Sequence, residues 1–166
     1  MKKINTYLFS AAAGILMVTA LNSCTQKTDE AEETIATTEF NLETAKAEIE
    51  EANKNFMALV AAGDSVGLAN AYTIDAKFMS AGAPSVVGRE DILSAMAGIV
   101  NSGITKADIR LESVYGTEDL IAEEGELTLF VGDQAVAEEK YIVLWKKEDG
   151  KWKLFRDIFN SSLPAE

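Results

Sequence analysis

The sequence predicts one α+β domain, three helices followed by a long antiparallel meander, carried behind an export leader. Three observations point there. Apolar residues recur three and four apart from Leu42 to Leu59 and again from Ile92 to Val100, the spacing of one helix face. After Gly103 the pattern changes to four strand-like stretches separated by turn residues. The last turn, Asp149-Gly150, sits between alternating side chains and favours a tight hairpin. A chain of 166 residues with 48% hydrophobic and 25% charged residues has the balance of a globular protein with one core.

The first residues stand apart from that core. Met1-Lys2-Lys3 is a basic start, Tyr7 to Leu21 is an uncharged run, and the small residue Ser23 follows, which is the layout of a secretory signal. The run falls short of the roughly 20 apolar residues that span a bilayer, so cleavage is expected rather than a permanent span. Leu21-Asn22-Ser23-Cys24 resembles the lipobox of bacterial lipoproteins, and Cys24, as the only cysteine, has no partner for an internal disulfide. The expected organisation is a signal peptide over 1–23, an acidic flexible tether over 24–40 and a folded domain over 41–162. Lipidation of Cys24 anchors such a chain to the membrane, because each buried methylene gains about 0.8 kcal/mol and more than one acyl chain is attached. Loss of Lys2 and Lys3 with the leader takes the net charge from −12 to −14, which disfavours nucleic acid and anionic headgroups as partners. Thr25-Gln26-Lys27-Thr28-Asp29-Glu30 resembles the Gln-Lys-acidic signals that send some lipoproteins to the cell surface. Such a polar stretch is equally what stays solvated and unfolded. The expected location is the cell envelope, at the outer membrane, facing the periplasm or the surface.

Helix one runs from 42 to 62, with Leu42, Ala45, Ile49, Ala52, Phe56 and Leu59 on one face, Asn41 as its N-cap and Gly63 as its stop. A stripe of three heptads containing two alanines packs on its own domain rather than into a coiled coil. Asp64 caps a short second helix carrying Val66, Leu68, Ala69 and Tyr72. Ala76 to Met79 then reads as a strand, Gly82-Ala83-Pro84 as a turn, and Ser85 to Val87 as a second brief strand. Gly88 introduces helix three, with Ile92, Leu93, Met96, Ile99 and Val100 on its buried side and Asn101-Ser102-Gly103 at its end. The remaining strands are expected over 104–115, 120–131, 135–147 and 151–160, broken at Gly116, Gly132-Asp133 and Asp149-Gly150. A two-residue loop at Asp149-Gly150 sets Glu148 opposite Lys151, hence Trp145 opposite Leu154, Leu144 opposite Phe155 and Ile142 opposite Asp157. One face then carries Ile142, Leu144, Phe155, Asp157 and Phe159, the other Val143, Trp145, Trp152, Leu154 and Ile158. Both are apolar, so both need a cover: helices on one side, with a partner chain as the candidate for the other.

Ala62-Gly63-Asp64 between helices, Ala71-Tyr72-Thr73-Ile74-Asp75-Ala76 entering the first strand, Gly88 before helix three, and the run from Lys140 through Trp145-Lys146-Lys147-Glu148-Asp149-Gly150-Lys151-Trp152-Lys153 to Phe159 together resemble the SnoaL-like domains. These belong to the nuclear transport factor 2-like superfamily, which includes ketosteroid isomerase. The resemblance implies a cone-shaped, cystatin-like roll in which a curved sheet wraps the helices and leaves a pocket at its open end, with homodimers formed through the outer face. It places Phe56, Tyr72, Phe78, Ser80, Leu127, Leu129, Ile142, Leu144, Phe155 and Phe159 around that pocket. Ketosteroid isomerase uses an aspartate base with a tyrosine and a protonated aspartate as oxyanion donors. The corresponding positions here are Ser80, Phe56 and Ile142, so none of the three groups is present and whether the chain is an enzyme stays open.

Asp157 is the remaining candidate for chemistry: a carboxylate among Phe155 and Phe159 acquires a raised pKa and suits a general base. The alternative is a structural aspartate paired with Lys140 or a backbone donor. Tyr72 is a candidate to orient a ligand, or else a core residue with a wet tip. Asp75 reads as a turn cap. The absence of histidine removes Ser-His-Asp and Cys-His catalysis and the usual zinc and iron sites. Glycines 82, 88, 98 and 103 match no phosphate-binding fingerprint. Glu123, Glu124 and Glu126 with Glu138 and Glu139 read as a solvated sheet edge rather than a calcium site, and Lys146, Lys147, Lys151 and Lys153 as an edge-blunting cluster. No cofactor and no metal are expected. The leading expectation is an envelope-anchored pocket for a small apolar or amphipathic molecule. The alternatives are proton transfer by Asp157 on a small substrate, and an interaction or dimerisation module using Val143, Trp145, Trp152 and Leu154.

Overall fold

The computed structural model describes residues 39–162, so the leader, Cys24 and all of the tether but its last two residues lie outside the described residues. The elements are α1 (Leu42–Ala62), α2 (Ser65–Asn70), β1 (Tyr72–Ser80), β2 (Val86–Val87), α3 (Arg89–Asn101), β3 (Lys106–Gly116), β4 (Ile121–Val131), β5 (Gln134–Glu148) and β6 (Lys151–Ser161). One six-stranded sheet runs in the order β2-β1-β6-β5-β4-β3, antiparallel except where β1 lies parallel to β6. The helices pack against the curved sheet, α1 on β3 and α3 on β1, with α2 against α3.

Local chemistry sets the helix ends. The Asn41 side chain accepts a hydrogen bond from the Thr44 N–H at 2.9 Å, and Asp64 does the same for the Gly67 N–H at 2.8 Å. Gly63 takes the left-handed conformation (φ 65°), and the Asp64 N–H reaches back to the Leu59 carbonyl to close α1. At the start of α3, Glu90 and Asp91 lie where the helix dipole favours negative charge.

Register shifts interrupt four of the strand pairings, and those in β1 and β6 bear on the site. β1 begins at Tyr72, four residues before the expected Ala76, because a register shift between Tyr72 and Lys77 buries Tyr72 and Thr73 together and exposes Ile74 and Asp75 together. The β5–β6 hairpin keeps the expected register from Glu148–Lys151 to Trp145–Leu154. Beyond it a bulge leaves Phe155 without an opposite residue, and the pairs become Leu144–Arg156, Val143–Asp157 and Ile142–Ile158.

That bulge corrects the expected faces. Trp152 and Leu154 turn inward before it and Asp157 after it, so even and odd positions of one strand share the inner side. On β5 the inner residues are Tyr141, Val143 and Trp145, while Ile142 is 49% exposed and Ile158 opposite it 47%. The two tryptophans expected on an outer interaction face are instead buried within the chain's own core, at 1% exposure for Trp145 and 6% for Trp152. The Phe155 ring is flanked by the Lys146 ammonium at 5.2 Å and the Arg156 guanidinium at 3.5 Å.

Candidate functional site

Between the helices and the concave side of the sheet lies a cavity of about 320 Å³. Helix α1 supplies Asn53, Phe56 and Val60, and α3 supplies Met96 and Ile99. The strands add Tyr72, Phe78 and Ser80 from β1, Leu127 and Leu129 from β4, Glu139, Tyr141 and Val143 from β5, and Leu154, Asp157 and Phe159 from β6. An aromatic wall runs through it. Phe56 meets Tyr72 edge-on at 6.3 Å, Tyr72 meets Phe78 edge-on at 6.4 Å, and Phe78 meets Phe159 at 5.1 Å.

Of the residues placed around the pocket by resemblance, Phe56, Tyr72, Phe78, Ser80, Leu127, Leu129 and Phe159 line the cavity, as does Asp157. Ile142, Leu144 and Phe155 do not: the odd positions of β5 face in, and the bulge at Phe155 brings Asp157 and Phe159 of β6 to that same side. The position expected for a second catalytic aspartate, Ile142, therefore faces away from the cavity, and its neighbours Tyr141 and Val143 face in.

Asp157 is 8% exposed and accepts a hydrogen bond from the Tyr72 hydroxyl at 2.6 Å. Burial pushes its pKa up to about 6 against the opposing pull of that hydrogen bond, and the nearby charges of Glu123 and Glu139 push the same way. Burial, and then the charge of Asp157, raises the Tyr72 phenol well above its ordinary value, which keeps it a hydrogen-bond donor. The partner of Asp157 is thus a cavity-lining hydroxyl, not Lys140.

A second carboxylate lies close by. Glu123 is 1% exposed, the reverse of the solvated edge expected for it, and three side chains donate to it: Asn53 at 2.7 Å, Tyr141 at 2.6 Å and Trp145 at 2.6 Å. Burial raises its pKa although all three donors act against the rise. Gly125 makes this arrangement possible. It stands opposite Tyr141, and a Cβ there would lie 2.6 Å from the Tyr141 hydroxyl and 2.3 Å from the Arg110 carbonyl oxygen, so the bare backbone lets the tyrosine ring cross to Glu123.

Glu139 is the third acid. It lines the cavity, its Oε2 is buried with no hydrogen-bond partner, and burial raises its pKa. Asn53, Glu123, Glu139 and Tyr141 were not expected at the site, yet the sequence carries a signal for most of them. Asn53 falls on the apolar stripe between Ile49 and Val60, and Glu123 sits on the same parity as Ile121, Leu127 and Leu129, so each is a polar residue in a core position. Among the described residues no group of three potential ligands is placed to hold a metal ion.

The match to the SnoaL-like domain family extends over residues 54–155, most of the folded region. The chain belongs to the SnoaL-like domain family. Solved structures agree on the nuclear transport factor 2-like fold. A ketosteroid isomerase-like protein from Erwinia carotovora atroseptica superposes with a TM-score of 0.61 at 21% identity, covering 75% of this chain and 100% of that one. A nuclear transport factor 2-like protein with a cystatin-like fold from Novosphingobium aromaticivorans gives 0.61 at 15% identity, over 75% and 86% of the two chains. A domain of unknown function with a cystatin-like fold from Nostoc punctiforme gives 0.64 at 12% identity, over 73% and 79%. At these identities the likeness establishes the fold alone. Among curated proteins none matches the chain.

Proposed function

We propose that this SnoaL-like domain binds a small apolar or amphipathic molecule in its inner cavity, and that a lipid on Cys24 tethers it to the cell envelope. One observation carries the binding reading: an open volume of about 320 Å³, within the range of small-molecule sites, persists in the middle of an otherwise packed core and is walled by Phe56, Phe78, Leu127, Leu129 and Phe159. A void of that size costs dispersion contacts and hydrophobic burial unless something fills it. Incubating the purified chain with a lipid and metabolite extract, then identifying retained compounds by native mass spectrometry, tests this directly. Recovery of one compound class that a Phe78→Trp variant fails to retain supports the reading, and recovery of none sinks it. The tether is tested by feeding cells a palmitate analogue. Label on the parent chain and none on Cys24→Ala is the expected result.

A second reading has its own support. The Asp157 carboxyl, pushed up to about 6 by burial and paired with a phenol that stays protonated, has the form of an acid–base group poised near neutral pH. On this reading Asp157 moves a proton on a bound organic substrate while Tyr72 holds the carboxyl in place. An ordinary carboxylate titration for Asp157 by NMR would remove it.

A further inference from the structure

Most donors of the cavity are already engaged. Asn53 and Tyr141 both donate to Glu123, and Tyr72 donates to Asp157. What the cavity holds out to a guest is mainly acceptors: the unpartnered Oε2 of Glu139 and the carboxylate of Asp157, with the Ser80 hydroxyl able to play either part. Among the described residues no lysine or arginine lines the cavity, and the sequence has no histidine.

A guest carrying a carboxylate would meet two like charges in a poorly solvated space. A wholly apolar guest would leave the buried Glu139 oxygen unpaired, a penalty that a hydrogen-bond donor relieves. A cationic donor offers Glu139 the missing hydrogen bond and both acids an opposite charge, and is itself compensated for leaving water. We propose that the cavity selects small apolar amines, holding a protonated nitrogen with Glu139 and Asp157 while Phe56, Phe78, Leu127 and Phe159 enclose the hydrocarbon part. The proposal rests on the cavity being a binding site and adds the class of molecule it takes. The raised pKa values of both acids agree with it, since each is a carboxylate lacking a counter-charge. The volume suits a single ring or a short branched chain rather than a long acyl tail.

The test compares matched pairs that differ only in the polar group: cyclohexylmethylamine against cyclohexylmethanol, and benzylamine against benzyl alcohol, titrated into the purified chain by calorimetry at pH 7.5. The amine of each pair is expected to bind at least tenfold more tightly than its alcohol. Glu139→Gln is expected to shrink that ratio several-fold, because the amide can still pair with a hydroxyl but offers an ammonium no opposite charge. Because the buried Oε2 of Glu139 has no hydrogen-bond partner to lose, the substitution is not expected to impair folding. Alcohols binding as tightly as amines would overturn amine selectivity while sustaining the binding site. An amine preference that survives Glu139→Gln undiminished would overturn the role given to Glu139. If neither member of either pair binds, the binding-site reading and the amine proposal fail together.

Discussion

Replacing Asp157 with asparagine is expected to stabilise the folded chain at neutral pH, and the size of the gain follows from where the carboxyl sits. Its folded pKa is about 6, against 3.8 for a free aspartate, so between those values the folded state holds a proton that the unfolded chain releases. Stability therefore falls as pH rises through the window from 3.8 to about 6, and the whole deficit persists above it. At about 1.36 kcal/mol per pH unit, the deficit is about 3 kcal/mol. That is a large share of the roughly 5–15 kcal/mol that holds a typical domain together. The asparagine amide cannot ionise but keeps a carbonyl oxygen to accept the Tyr72 hydroxyl, so Asp157→Asn removes the deficit without opening the 2.6 Å contact. Urea denaturation followed by the fluorescence of Trp145 and Trp152 measures the difference. The variant is expected to exceed the parent by up to about 3 kcal/mol at pH 8 and to match it near pH 4. A variant less stable than the parent at pH 8 would refute the reasoning, since it would mean that the ionised carboxylate is held by favourable contacts and serves as a structural tie.

Glu123→Gln is expected to cost about 1–3 kcal/mol, because an amide cannot accept from Asn53, Tyr141 and Trp145 together, and a lowered urea midpoint with unchanged slope would register it. Gly125→Ala forces a methyl against the Arg110 carbonyl and the Tyr141 hydroxyl, with an expected loss of about 1–3 kcal/mol and a changed Tyr141 signal in NMR spectra. Glu148 accepts hydrogen bonds from Lys153, the Ile74 N–H and Arg89, and although burial opposes the charge these partners hold its pKa down at about 2. Its contribution is thus present above the ordinary glutamate range and lost as pH falls toward 2. Glu148→Ala is expected to lose about 2 kcal/mol at pH 7, with the gap to the parent closing under acid titration.

The element order is legible because periodicity and turn chemistry agree along most of the chain. Asn41, Gly63 and Asp64 do what their residue types suggest, and the Asp149-Gly150 hairpin sets its first four pairs as expected. Register is legible only as far as the first irregularity. A bulge leaves no signature in alternation when the strand is apolar on both faces, and Leu154-Phe155-Arg156 offers no glycine to mark one. Alternation accordingly puts Ile142, Leu144 and Phe155 on the wrong side. The carboxylates show a different limit. Asp157 stands out because its neighbours are aromatic, whereas Glu123 is hidden in an acidic run whose other members, Glu124 and Glu126, do reach solvent or surface partners. Only the long-range contacts to Asn53 and Trp145 distinguish it, and those form in the fold rather than along the chain.

The most direct test of the cavity as a binding site is a methyl-labelled NMR titration with cyclohexylmethylamine. The cavity methyls of Met96, Ile99, Leu127 and Leu129 are expected to shift together along one saturating curve, while the outward methyls of Ile142 and Ile158 stay fixed. Shifts at Ile142 and Ile158 with the inner methyls unmoved would place any binding on the outer face and contradict the inner site.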